Sequence, residues 1–298
     1  MHCPHVRRDN ESAIRHQGSS LNTKAEKQLI ESLNALEPTL NTTWFNHFNQ
    51  EIVVPEESAL SRQDILDRSP FKSQRVHGVD LTDSGFVLKS YFLPAIRSEL
   101  TGIEPQKIIF DGIRKLGSKN ENFNCAVDIL EKWMIPANGR LMEYWDTVSY
   151  DALDAEKARI KVYTGIFVDS LKRVCDIFTL GGLLEGDDID KGIEFVKILW
   201  RDLVDLEPSS SQLKHCMQWV WEIRSDVRYP VPKLYFSAGE IEDHYVSDAV
   251  AKILQHIGWH EHVVTHKALM NEAWSVQVLF MCCISMAQDT PADELTGP

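Results

Sequence analysis

The sequence predicts an α+β fold: an antiparallel β-barrel built from repeated ααββ units, with the helices outside. Three observations carry that expectation. A Lys-x-Tyr triplet recurs as Lys89-Ser90-Tyr91, Lys161-Val162-Tyr163 and Lys233-Leu234-Tyr235, each lysine 72 residues from the next. A period of that length marks one supersecondary unit used several times. Each triplet also sits in a short β-prone run that follows a second such run and a turn, the pattern of a hairpin. Helical stripes fill the intervals. Helix pairs feeding antiparallel hairpins do not make a doubly wound parallel sheet. A closed barrel removes sheet edges and leaves an interior lined by alternate residues.

The elements follow in order. Residues 1–22 are polar, rich in His and Arg, and are expected to be poorly ordered. Thr23 to Leu36 carries Leu29, Ile30, Leu33 and Leu36 at helical spacing. Asn41 and Thr43 are candidate caps for a second helix with Trp44, Phe45 and Phe48. Residues 52–70, punctuated by Pro55 and Pro70, read as a loop with a short helix. The first hairpin is Ser73–Leu81, a turn at Thr82-Asp83-Ser84-Gly85, and Phe86–Phe92, ended by Pro94. Helices are expected at Lys107–Leu116 and Cys125–Met134. The second hairpin is Glu143–Tyr150, a turn at Asp151–Asp154, and Ala158–Thr164. Helices at Asp169–Thr179 and Asp190–Leu203 lead to the third, Met217–Ile223 and Pro232–Phe236 around a turn at 226–230. A last helix is expected near Tyr245–Ile257.

Composition narrows the function. The chain has 298 residues, 43% of them apolar, enough for one large domain, expected over 23–288 with a flexible tail at 289–298. A net charge of −13 supplies no basic surface for nucleic acid and none for anionic lipid. A small anionic ligand stays compatible, because a few cations in a cavity act locally. The six cysteines form no C-x-x-C pair, so reduced thiols in the cytoplasm are expected. Met1 to Arg8 lacks the apolar stretch of a signal peptide. The longest apolar run, Val276–Ala287, is shorter than the roughly 20 residues that span a bilayer.

Residues i and i+2 of a strand point to one face, so each triplet offers a cation beside a ring. If the three units close around an axis, the six side chains converge on one cavity. That cavity suits a ligand that is anionic at one end and becomes a carbocation at the other. Other motifs read as structure. Asp187-Asp188-Ile189-Asp190 has the wrong spacing for D-D-x-x-D and reads as a helix start. His256, His260, His262 and His266 are interrupted by Gly258 and lack the H-E-x-x-H pattern, so no metal is expected. Gly181-Gly182 reads as a turn, and Asp80 and Asp151 as holders of turns or strand ends.

The ordered set Asp80-Leu81, Val87 to Ala95, Asp151, Arg159-Ile160-Lys161-Val162-Tyr163, Phe178 to Gly182, Pro230 to Phe236 and Gly258-Trp259 resembles the fungal dimethylallyltryptophan synthase-type aromatic prenyltransferases. The similarity covers roughly residues 20–266. It implies a ten-stranded barrel of five ααββ units, the ABBA barrel. It also implies metal-independent transfer of a prenyl group, usually dimethylallyl, from its diphosphate to an aromatic acceptor, without a cofactor. Most members act on tryptophan or indole alkaloid precursors in secondary metabolism; some act on tyrosine or phenolic polyketides. By that resemblance Lys89, Arg159, Lys161 and Lys233 are diphosphate ligands, and Tyr91, Tyr163 and Tyr235 are the shield around the carbocation. Lys233 stands where some members have Gln. Members are usually longer, and Ala273–Gln288 departs from their pattern, so an incomplete barrel is expected. The alternatives are a catalytically impaired remnant, a prenyltransferase acting on a tyrosine or phenolic polyketide, and an unrelated barrel that binds a small anion. Open sheet edges pair with other chains or aggregate, so a homodimer is one assembly the sequence allows.

Overall fold

The computed structural model describes residues 23–37, 40–62, 64–65, 73–83, 85–135, 146–151, 159–204, 215–237, 241–275 and 283–286. The expectations for 1–22, for 289–298 and for the turn after Asp151 lie outside the described residues. The chain divides into two compact units, Met1–Gly165 with Val220–Val231, and Ile166–Trp219 with Pro232–Pro298.

The first unit contains α1 (Thr23–Leu36), α2 (Thr43–Ile52), a short α3 (Glu56–Leu60), β1 (Arg75–Thr82) and β2 (Gly85–Phe92). It continues with α4 (Ala95–Thr101), α5 (Pro105–Lys115), α6 (Glu121–Met134), β3 (Asp146–Asp151), most of β4 (Ile160–Val168) and the end of β5 (His215–Ile223). The second unit contains α7 (Leu171–Phe178), α8 (Asp187–Leu199) running into a π-helical turn at Trp200–Val204, the start of β5 and most of β6 (Val231–Ser237). It closes with α9 (Asp243–His256), α10 (His260–Ser275) and β7 (Cys283–Met286). Hydrogen bonds order the strands β1-β2-β3-β4-β5-β6-β7. The pairs β1–β2, β2–β3, β3–β4 and β6–β7 are antiparallel.

Alternation along the strands builds the core of the first unit. Leu88, Phe92, Val148, Tyr150, Ile160 and Val162 are buried on one side of the sheet. Phe48 of α2 lies there too, its ring 5.7 Å from Phe92 and 6.1 Å from Tyr150. Each such ring adds roughly 1.5–3 kcal/mol by leaving water. α5 packs on α2 beside Gly112, next to Glu51 and Phe48. His47 Nε2 is 2.7 Å from the Gly112 carbonyl oxygen across the same contact. α1 is fixed to this side by polar contacts, with Glu26 paired to Arg75 and lying 2.7 Å from His77 Nε2. His77 Nδ1 is 3.0 Å from Ser90 Oγ. This line has the connectivity of a nucleophilic triad, but Ser90 is fully buried and its hydroxyl meets no substrate. Its role is to fasten a helix.

In the second unit α7 and α8 pack closely at Gly192, where a Cβ would lie 2.9 Å from the Phe178 ring. α8 begins at Asp187 with three acidic residues in its first turn, at the positive end of the helix dipole. Leu180, Gly181 and Gly182 all have positive φ and form the turn after α7.

Two helices were absent from the sequence reading. α4 has only seven residues and follows Pro94 directly. α10 was masked by Gly258, whose φ of 80° separates α9 from a second helix rather than ending helical structure. Within 273–288, read above as departing from the pattern, β7 pairs antiparallel with β6, Tyr235 facing Ser285.

Candidate functional site

Strand register determines which predicted residues meet. Lys89 lies opposite Asp151, and Tyr91 opposite Ser149. On the far side of β3, Ser149 lies opposite Lys161, and Thr147 opposite Tyr163. Hence β3 stands between the first two triplets, and their alternate residues share the face turned away from Phe92 and Tyr150. Tyr91 and Tyr163 come together across it, ring centroids 5.6 Å apart and planes inclined at 58°.

The cations of this face are held by carboxylates. Asp151, only 2% exposed, accepts hydrogen bonds from Arg159 Nε and Nη2 at 3.2 and 3.1 Å. The same carboxylate accepts from Lys161 Nζ at 3.2 Å. Arg159 Nη1 donates to Glu222 Oε1 at 3.4 Å, and Glu222 is 1% exposed. That oxygen is also 3.7 Å from Arg224 Nη1. Lys89 is paired with Asp80. Buried charges persist only when paired in this way.

The two lysines are tuned in opposite directions. Burial lowers the Lys161 pKa below the ordinary lysine value, and the attraction of Asp151 only partly opposes it. Burial acts on Lys89 as well, but the hydrogen bond and charge of Asp80 and the charge of Asp151 outweigh it, and the pKa is raised.

Lys233 and Tyr235 lie on β6 of the second unit. Both are half-buried, and they alternate with the buried Leu234 and Phe236. The structure therefore gathers Lys89, Arg159, Lys161, Tyr91 and Tyr163 in one unit and describes the third triplet in the other. Asp80 corrects its expectation: it lies inside β1, opposite Val87, and holds a lysine rather than a turn. Asp151 does end β3, but its carboxylate organises two cations. Glu222 and Arg224 escaped the sequence reading. The available signal was a lone carboxylate inside the apolar run Trp219-Val220-Trp221-Glu222-Ile223, a charge that must find a partner if buried.

Other candidates resolve as structure. His256 is 3.2 Å from Glu194, His266 is 3.1 Å from Ser247, and His262 packs beside Trp259. Among the described residues no group of three or more His, Cys, Asp or Glu side chains could hold a metal ion. No described helix is long and apolar enough to cross a membrane. A cavity of about 940 Å³ opens in the first unit, but its walls are Glu26, Asn34, Asn46, Arg75 and neighbours, and none of the seven expected site residues.

Solved structures of prenyltransferases share this fold. The chain superposes on the crystal structure of AnaPT from Neosartorya fischeri with a TM-score of 0.70 at 23% identity, covering 83% of this chain and 60% of that one. For the crystal structure of the NotF prenyltransferase the TM-score is 0.76 at 23% identity, covering 87% and 65%. A family model described as tryptophan dimethylallyltransferase matches residues 3–268, and the chain belongs to that family. Among curated relatives, tryptophan dimethylallyltransferase 2 of Epichloe coenophiala is 26% identical, over 84% of this chain and 60% of its own length. Prenyltransferase malE of Malbranchea aurantiaca is 27% identical, over 80% and 57%. The chain thus spans about three fifths of the length of the curated relatives it matches.

Proposed function

We propose that the protein transfers a dimethylallyl group from dimethylallyl diphosphate to an aromatic acceptor, a tryptophan or an indole alkaloid precursor. The observation that carries this reading is the shared face of β2, β3 and β4, where Lys89, Arg159 and Lys161 stand beside the Tyr91–Tyr163 pair. Family membership supports it.

In this reading the allylic C–O bond breaks and its electron pair leaves with the diphosphate. Lys89, Arg159 and Lys161 turn their N–H groups from the carboxylates to the phosphate oxygens, each charge-assisted hydrogen bond contributing roughly 1.5–3 kcal/mol. Arg159 offers a planar fork for two oxygens. Tyr91 and Tyr163 present ring faces to the allyl cation, worth about 0.5–2 kcal/mol each, and exclude water that would quench it. The acceptor ring attacks the cation through carbon and then loses a proton to a base. Lys233 is a further diphosphate ligand and Tyr235 a further part of the shield. Residues 23–288 are read as one incomplete barrel of ααββ units.

Incubation of the purified protein with dimethylallyl diphosphate and a panel of tryptophan, tyrosine, cyclic dipeptides and a phenolic polyketide, read by mass spectrometry, tests the reading. A prenylated indole is the expected product. A prenylated phenol alone would move the acceptor to the tyrosine or polyketide class. No product from folded protein, checked by circular dichroism, would leave the catalytically impaired remnant. A cytoplasmic homodimer is the assembly read here. Val76, Val79 and Leu81 are exposed on β1, whose one described neighbour is β2, and this supports the pairing of two copies. Light scattering after size exclusion measures it.

A further inference from the structure

We propose that Arg224 is an additional ligand for the leaving diphosphate, which extends the cation set from β2 and β4 to the end of β5. The inference rests on the prenyl-transfer reading of the same face. Nothing in the triplet repeat points to this residue; the geometry does. Glu222 and Arg224 are two apart at the end of β5, in the first unit with the rest of the face. One oxygen of Glu222 lies 3.4 Å from Arg159 Nη1 and 3.7 Å from Arg224 Nη1. A single buried carboxylate therefore keeps two guanidinium groups within bridging reach of one diphosphate. Two like charges so close are stable only with an anion between them.

Arg224 is not a solvated surface group, for its side chain is 18% exposed. Its Nε is 3.1 Å from Asp226 Oδ1, yet it is buried and makes no hydrogen bond of acceptable direction. Buried charged donors are normally satisfied, so this one is short of an acceptor. Asp226 is 64% exposed, and an exposed partner holds a cation weakly. An arriving phosphate oxygen supplies the missing acceptor, and guanidinium geometry suits two oxygens at once.

Titration calorimetry with inorganic pyrophosphate tests this on the full chain and on Arg224→Ala, Arg224→Lys and Lys161→Ala. Loss of one charge-assisted contact is expected to weaken Arg224→Ala roughly 10- to 100-fold. Arg224→Lys, which keeps the charge and loses the fork, is expected to fall between it and the unmodified protein. The salt dependence of binding is expected to be shallower in Arg224→Ala than in Arg224→Lys, a change that a purely structural role for Arg224 would not produce. Unmodified affinity in Arg224→Ala, with affinity lost in Lys161→Ala, overturns the assignment and leaves the prenyl-transfer reading standing. Failure of the unmodified protein to bind pyrophosphate overturns both. If Arg224→Ala does not fold, Arg224→Lys decides alone, and wild-type affinity there overturns the proposal.

Discussion

Asp151→Asn exposes the electrostatic logic of the site. The substitution keeps the size of the side chain and removes its charge. Asp151 is 2% exposed and serves both Arg159 and Lys161. Without it, Lys161, itself 11% exposed, faces Arg159 with no carboxylate of its own. Removing one partner of a buried ion pair costs about 3–5 kcal/mol. Arg159 is 35% exposed, so solvent screens its share. Asn retains an acceptor oxygen for one of the donors. The expected loss is about 3 kcal/mol at neutral pH, which corresponds to a fall of roughly 6–12 °C in the melting temperature for a protein of this size. Inorganic pyrophosphate at 100 times its Kd stabilises the folded state by about 2.7 kcal/mol and should recover most of that loss. Lys161→Met in the same background should recover much of the loss without any anion, because the buried ammonium is gone and Arg159 keeps Glu222. Differential scanning fluorimetry with and without pyrophosphate reads all of these. If Asp151→Asn melts with the unmodified protein, or if the double variant is no better than the single one, then Asp151 is not what holds Lys161.

Three further outcomes are expected. Tyr163→Ala should lower kcat by roughly 3- to 30-fold, the rate equivalent of about 0.5–2 kcal/mol of cation stabilisation, while Tyr163→Phe, which keeps the ring face, should stay near the unmodified rate in a product assay. Raising pH should affect stability and anion binding in opposite senses through Lys161. Its folded pKa is depressed, so between that value and the unfolded value of about 10.4 the unfolded chain binds more protons and stability rises with pH, while pyrophosphate affinity measured by calorimetry falls as the ammonium is lost. Lys89, whose pKa is raised, keeps its charge to higher pH, so affinity should decline in two separate stages. Gly192→Ala should destabilise by about 1–3 kcal/mol in urea denaturation, because the new methyl would meet the Phe178 ring at 2.9 Å.

The triplets were legible because a period of two along a strand and a period of 72 along the chain are both visible in one sequence. The helix α1 and the helix start at Asp187 were legible from local pattern, although Leu29 and Leu36 of the α1 stripe stand exposed. α10 was not, since Val264 and Leu269 stand exposed and form no stripe that faces a core. The carboxylates were harder still. Asp151 reaches Arg159 and Lys161 through strand pairing, and Glu222 reaches Arg159 across 63 residues of chain. Such partners depend on register, which sequence periodicity does not report. The contribution of β3 was missed for that reason: nothing in Thr147-Val148-Ser149 announces that it stands between two triplets.

The grip of Asp151 on two cations bears on turnover. A ligand that must displace this carboxylate binds less tightly than it would to bare ammonium and guanidinium groups, and on leaving it is replaced by an anion already at hand. Under the proposed transfer reaction, that internal rival would act as a spring, restoring the ion-paired state once pyrophosphate leaves.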